Sequence, residues 1–155
     1  MPPGVSFRAN VGAVVIDSSG RVLALERADV RGAWQLPQGG LDEKEEPADA
    51  VLRELREETG IHSDALSLLD EHPEWLAYEL PEELRSERLG RGQVQKWFLF
   101  RFEGEDRDID LTDAETVEFR AWRWMRLSDL ARETIGFRQP IYQKLVAGFA
   151  RYLAS

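Results

Sequence analysis

The segment Pro47–Gly60, PADAVLRELREETG, constrains this chain more than any other stretch. Pro47 suits the first turn of a helix, where its missing N–H has no partner to lose. From there Ala48, Val51, Leu52, Leu55 and Thr59 recur at three- and four-residue spacing, which predicts one buried stripe along a helix. Gly60 is the expected stop. The same helix carries Glu54, Glu57 and Glu58 at i, i+3 and i+4, so three carboxylates project from one side and repel one another. Taken alone, such a cluster is most often a solvated helix face. Its surroundings argue for more. Hard cations such as Mg²⁺ and Mn²⁺ prefer carboxylate and carbonyl oxygens, and a cation would cancel the repulsion. Arg53, four residues before Glu57, is placed to hold that carboxylate. Upstream, the PQGGL stretch offers a glycine loop whose backbone can come close to a ligand.

The flanks read as alternating strands and helices. NVGAVVIDSSGRVLALER reads as a β-hairpin, with Val11–Ile16 as one strand, Asp17-Ser18-Ser19-Gly20 as the turn and an apolar pattern resuming at Val22. WQLPQGG is a short extended piece entering a tight loop. ALSLLDEHPEWLAYEL predicts strands around Pro73, KWFLFRFEG a central strand, and EFRAWRWMRL another strand. PEELRSERLGRGQ reads as a polar loop with a helical turn, and GEDRDIDLTDAETV as a long acidic loop. Ser128 is the expected cap of a short helix. A last helix starts near Pro140 with Leu145, Val146, Phe149 and Leu153 on one side. With no repeat and no linker-like shift in composition, residues 1–155 are expected to form one α+β domain, or a mixed α/β/α sandwich.

Composition closes off several chemistries. The chain has 155 residues and no cysteine, which excludes disulfides, zinc-thiolate sites and a thiol nucleophile. Two histidines, His62 and His72, are too few for a His-rich metal centre. No apolar run approaches a membrane span and the N-terminus lacks the pattern of a signal peptide, so a cytoplasmic location is the default expectation. A net charge of −9 argues against broad attraction to phosphate backbones or acidic membranes. No DNA or membrane partner is expected, and the oligomeric state is left open.

The spacing of the central motif resembles the Nudix box. Gly39 is followed by Glu45, Arg53-Glu54, Leu55, Glu57-Glu58, Gly60 and Ile61, so that residues 39–61 fill every fixed position of that pattern. The flanking segments FRANVGAVV, WQLPQGG, EWLAYELP, GQVQKWFLFRF and EFRAWRWM are similar to one subfamily of Nudix hydrolases. It contains bacterial RNA 5′-pyrophosphohydrolases and plant-type diadenosine polyphosphate hydrolases. The resemblance implies an α/β/α sandwich with a mixed, partly antiparallel sheet and a loop–helix–loop metal site. It implies Mg²⁺ or Mn²⁺ held by Glu54, Glu57, Glu58 and Glu118, with the Gly39 carbonyl as a further ligand. It implies general-base work by one of Glu57, Glu58 or Glu118, with Glu54 and Arg53 completing the catalytic group. Arg8, Arg27, Lys96 and Arg138 are then assigned to phosphates, and Tyr78 and Phe137 to stacking on a base.

One departure is that Phe137-Arg138-Gln139 stands where members of this subfamily commonly have Phe-Lys-Arg. The chain also ends soon after its last helix without a basic tail. With the negative charge, these features put hydrolysis of a dinucleoside polyphosphate such as diadenosine tetraphosphate ahead of action on triphosphorylated RNA 5′ ends. A non-catalytic nucleotide-binding module is the rival from another class.

Overall fold

The computed structural model describes residues 6–87, 89–112 and 117–155. Eight strands form a single mixed sheet: β1 (Phe7–Ile16), β2 (Val22–Arg27), β3 (Trp34–Gln35), β4 (Gln38–Gly40), β5 (Leu66–Glu71), β6 (Leu76–Glu79), β7 (Gly92–Phe102) and β8 (Phe119–Met125). The central order is β3-β2-β1-β7-β5, with β4 on β1, β6 on β7 and β8 on β2. Strands β1 and β7 run parallel over their whole paired length, from Phe7↔Gly92 to Ile16↔Arg101. The remaining pairings are antiparallel. Three helices, α1 (Pro47–Thr59), α2 (Leu127–Glu133) and α3 (Gln139–Gly148), cover the sheet.

Strand periodicity divides the core into two layers. Val11, Ala13 and Val15 of β1, with Phe98, Phe100 and Phe102 of β7, pack with Val51 and Leu55 of α1. Val14 and Ile16, with Trp97 and Leu99, pack with Leu130 of α2 and with Ile141, Tyr142 and Leu145 of α3. Successive side chains point to opposite faces, so both faces of the two central strands are buried. Gly12 is required at its place because a side chain there would collide with the Trp97 ring. Leu55 is fully buried, so Leu55→Ala is expected to cost ~2–5 kcal/mol.

The helix at the centre of the sequence reading forms with its expected ends. Pro47 lies in its first turn, and Gly60 ends it at φ 72° with its N–H on the Arg56 carbonyl. The stripe differs in detail: Ala48 is exposed and Ala50 buried in its place, while Glu58 joins the buried side. The expected hairpin is cut short. Strands β1 and β2 share one pairing, Ile16↔Val22, after which β2 diverges to pair with β8 and β3. The vacated flank of β1 is filled by β4, through Asn10↔Gly40, Val11↔Gly39 and Gly12↔Gln38. Local turn chemistry predicted the reversal but carried no information about these distant partners. Ser128 lies inside α2, whose N-cap is Arg126 without a side-chain cap, and Leu153 lies beyond α3. Among the described residues no helix is long and apolar enough to cross a membrane.

Candidate functional site

The diverging strands leave a cleft at the Arg8–Asn10 end of β1. It has a volume of about 480 Å³ and is bounded by parts of β1, β2, β4, α1, β6 and β7, and by Glu118 and Arg138. The β4 strand brings Gly39 against α1, and a side chain at Gly39 would overlap the Glu54 carboxylate. Glycine is therefore demanded by close approach, and its presence puts the backbone of β4 beside that acid.

Arg53 organises the entry to α1. Its Nε donates to Glu45 at 2.9 Å, one terminal nitrogen to Glu54 at 2.9 Å, and the other to the Gly40 carbonyl at 2.9 Å. It also reaches Glu57 at 3.3 Å. The Glu45 hydrogen bond, chiefly, holds the Arg53 proton more firmly than usual and lowers the Glu45 pKa. One guanidinium thus ties the glycine loop to the acidic helix at both of its ends.

Glu58 is the most unusual group in the cleft region. It is 5% exposed, and neither carboxylate oxygen has a hydrogen-bond partner. Burial, followed by the charges of Glu54 and Glu118, pushes its pKa well above the ordinary value of 4.5. Glu54 is raised for the same leading reason, opposed by Arg53. A buried, unpaired carboxylate is costly. Two further acids at the same place make the local demand for positive charge explicit. The donor set, all oxygen and backed by Glu118, suits a hard divalent cation. Among the described residues, however, no three acidic or histidine side chains are already drawn together as a closed metal cluster.

The residues assigned from sequence divide into two groups. Glu54, Gly39, Glu118, Arg8, Arg27, Tyr78 and Arg138 line the cleft. Arg8 donates to the Glu87 carbonyl, and Arg27 is held by Asp29 at 2.8 Å and by Gln35 at 3.4 Å. Phe137 stands behind the lining, stacked on Tyr78 with centroids 5.2 Å apart, and the Arg138 guanidinium lies 5.1 Å from the Phe137 ring centre. Glu57 is half exposed and turned to Arg53. Lys96 is not on the cleft wall: it is 8% exposed, donates to the His72 carbonyl and pairs with Glu71 at 3.1 Å. Its neighbours on the same face of β7, Val94 and Phe98, are apolar, and the lysine meets its charge requirement at the nearest edge.

Sequence reasoning missed Asn10, Gln35 and Gln93 as cleft residues. Their signal was present as polar side chains in or beside strands that otherwise bury apolar ones. Gln38 lines the cleft, and Gln95 is buried beneath it.

Comparison with known proteins agrees with this geometry. The NUDIX domain model matches residues 6–145. An RNA pyrophosphohydrolase of Gluconacetobacter diazotrophicus is 46% identical, covering 94% of this chain and 93% of that protein. Nudix hydrolase 26, chloroplastic, of Arabidopsis thaliana is 40% identical, covering 97% of this chain and 73% of that protein. Among solved structures, an Ap4A hydrolase binary complex from C. elegans superimposes with a TM-score of 0.70 at 23% identity, covering 93% of this chain and 98% of that one.

Proposed function

The chain belongs to the Nudix hydrolase family, which acts on phosphoric anhydride bonds, and on that premise we propose that it is an RNA 5′-pyrophosphohydrolase using Mg²⁺ or Mn²⁺. The observation that carries this reading is likeness over nearly the full chain to proteins named for that activity, in G. diazotrophicus and at 43% identity in Rhodospirillum rubrum. This reverses the order expected from sequence, because the C. elegans Ap4A hydrolase resembles the chain at the level of fold.

The cleft suits the reaction on its own terms. Glu54 and Glu58, with Glu118 beside them, would hold the metal. When bound, such an ion neutralises phosphate charge and lowers the pKa of water. Arg8, Arg27 and Arg138 line the cleft and would bind and orient the phosphates, a large part of the catalytic work. Arg53 fixes Glu54 and the Gly40 carbonyl so that the acidic wall keeps its shape. A carboxylate of this wall, Glu57, Glu58 or Glu118, accepts the proton of the attacking water. Water adds to phosphorus, the P–O bond to the leaving group breaks, and no covalent enzyme intermediate is needed. Tyr78, 9% exposed but part of the cleft lining and stacked on Phe137, would be the aromatic contact for a base.

The test is a product analysis. Purified protein with Mg²⁺ is given triphosphorylated RNA, diadenosine tetraphosphate and ADP-ribose in parallel. Release of pyrophosphate from RNA, with the highest kcat/KM, is expected. A higher kcat/KM for diadenosine tetraphosphate would restore the dinucleotide reading. Binding without turnover of any substrate would favour the non-catalytic module.

A further inference from the structure

A chain of side-chain amides runs beneath the cleft, and its directions are set from the core. Trp97 is fully buried and its indole N–H can only donate. It donates to Gln95 Oε1 at 3.2 Å. Gln95 is 1% exposed and does not line the cleft, so its NH₂ group is turned towards the cleft floor. There it faces three oxygens: Asn10 Oδ1 at 2.8 Å, Gln38 Oε1 at 3.3 Å and Gln93 Oε1 at 3.3 Å. The Tyr78 hydroxyl, which can donate or accept, donates to Gln93 Oε1 at 2.6 Å and ties that side chain to β6.

Each amide has one oxygen end and one nitrogen end. Flipping Asn10 would set NH₂ against NH₂ across the shortest of these contacts, while Gln93 is aligned more weakly, by Gln95 at 3.3 Å and by Gln38 Nε2 at 3.5 Å. The Trp97 N–H therefore propagates a single polarity outwards. Both Asn10 and Gln93 line the cleft with their oxygens committed inwards. Among the described residues neither Asn10 Nδ2 nor Gln93 Nε2 has an acceptor. These N–H donors stand in the same cleft as Arg8 and Arg138.

We propose that Trp97 and Gln95 fix the hydrogen-bonding polarity of the cleft floor, so that Asn10 and Gln93 present amide donors to the anionic oxygens of a polyphosphate. Gln95 is a positioning residue, and Asn10 and Gln93 are binding residues. The proposal rests on the polyphosphate reading of the cleft. It adds a neutral set of donors to the arginines. Such donors favour acceptor oxygens without neutralising them, and so help to select an anionic chain over a base edge that offers N–H groups.

Inorganic tripolyphosphate with Mg²⁺ is the probe. In ¹⁵N-labelled protein, the side-chain NH₂ signals of Asn10 and Gln93, identified by their loss in Asn10→Ser and Gln93→Ser, should shift on saturation. The Gln95 NH₂ signal should move much less. Trp97→Phe keeps one aromatic ring in the core and removes the indole N–H donor together with the pyrrole portion of the side chain. It should raise the tripolyphosphate Kd about threefold to tenfold, the scale of an orientation no longer fixed by a hydrogen bond. On triphosphorylated RNA the variant should raise KM while kcat changes by less than about twofold, a loss of binding shared by ground and transition states. Unshifted Asn10 and Gln93 signals at saturation, absent tripolyphosphate binding, or wild-type affinity in Trp97→Phe would each overturn the proposal. Shifted signals without RNA hydrolysis by the wild-type protein would overturn the RNA assignment and leave the relay standing.

Discussion

The two walls of the cleft are built on opposite principles. On the α1 side, Glu58 is buried behind the lining without a hydrogen-bond partner, beside Glu54, so acids gather there that cannot all ionise without further positive charge. On the β7 side, Gln95 and Tyr78 meet hydrogen-bonding partners, and the network under the floor runs from the core outwards. The first wall is destabilised until something positive arrives. The second is stable by itself and merely oriented. A site of this kind separates the provision of charge from the provision of geometry, and each can be removed without the other.

The largest expected effect comes from neutralising the first wall. Glu58→Gln should lower kcat by roughly a hundredfold or more, the scale of removing a metal-holding or proton-accepting carboxylate. At pH values above the folded pKa of Glu58, the same change should raise the melting temperature of metal-free protein, because it removes a buried charge. A variant that retained wild-type turnover would show that the acidic wall is not where the chemistry occurs.

Metal binding gives a second measure. If the wall is completed by a cation, Mg²⁺ at a hundred times its Kd should stabilise the protein by about 2.7 kcal/mol in calorimetry, from mass action alone. Chelation should abolish activity, and Glu58→Gln should lose most of the Mg²⁺-dependent stabilisation. Full turnover in excess chelator would remove the metal from the mechanism.

On the second wall, Tyr78→Ala should weaken substrate binding by ~1–3 kcal/mol, the scale of stacking on one base. It should do so without altering the Mg²⁺ effect. Equal loss in both measurements would mean that the two walls are not separable. An unchanged KM would reduce Tyr78 and Phe137 to packing.

The smallest effect concerns pH in the metal-free protein. The folded pKa of Glu58 lies above its unfolded value of 4.5, so folded protein holds the extra proton. Stability should therefore fall as pH rises from about 4.5 through the folded pKa, and Glu58→Gln should flatten that slope. Glu45, lowered by its hydrogen bond to Arg53, acts oppositely: its contribution is present above its unfolded value and lost as pH falls through the folded one. Chemical denaturation across this range, with chelator present, distinguishes the two signs.

The acidic wall was legible in the sequence and the other wall much less so. Helical spacing and the flanking glycines place Glu54, Glu58 and Gly39 from local order alone. Ala48 was misplaced because two alanines lie within one turn of the helix start, and periodicity over so short a span does not choose between them. Lys96 was misread because a cation in a strand says nothing about which edge its ammonium reaches; here it is Glu71 and the His72 carbonyl. The β1–β2 turn was legible, but not the loss of pairing beyond Ile16↔Val22. Asn10 and Gln95 meet through a register between strands distant in sequence. The Trp97–Gln95 contact follows from i, i+2 spacing on β7, but the outward step to Asn10 depends on the β1–β7 register, which no local spacing contains.

The parallel pairing of β1 with β7 also bears on how the molecule is made. Its partners lie about 85 positions apart, so it closes a long loop, and contacts of that span form slowly. The whole of α1, the glycine loop and Tyr78 lie inside the loop so closed. A nascent chain can shape its acidic helix early, yet Asn10 meets Gln95 only after residue 95 has been synthesised and docked. Refolding should therefore recover helical signal before catalytic competence, with the interval set by strand docking and not by the helix.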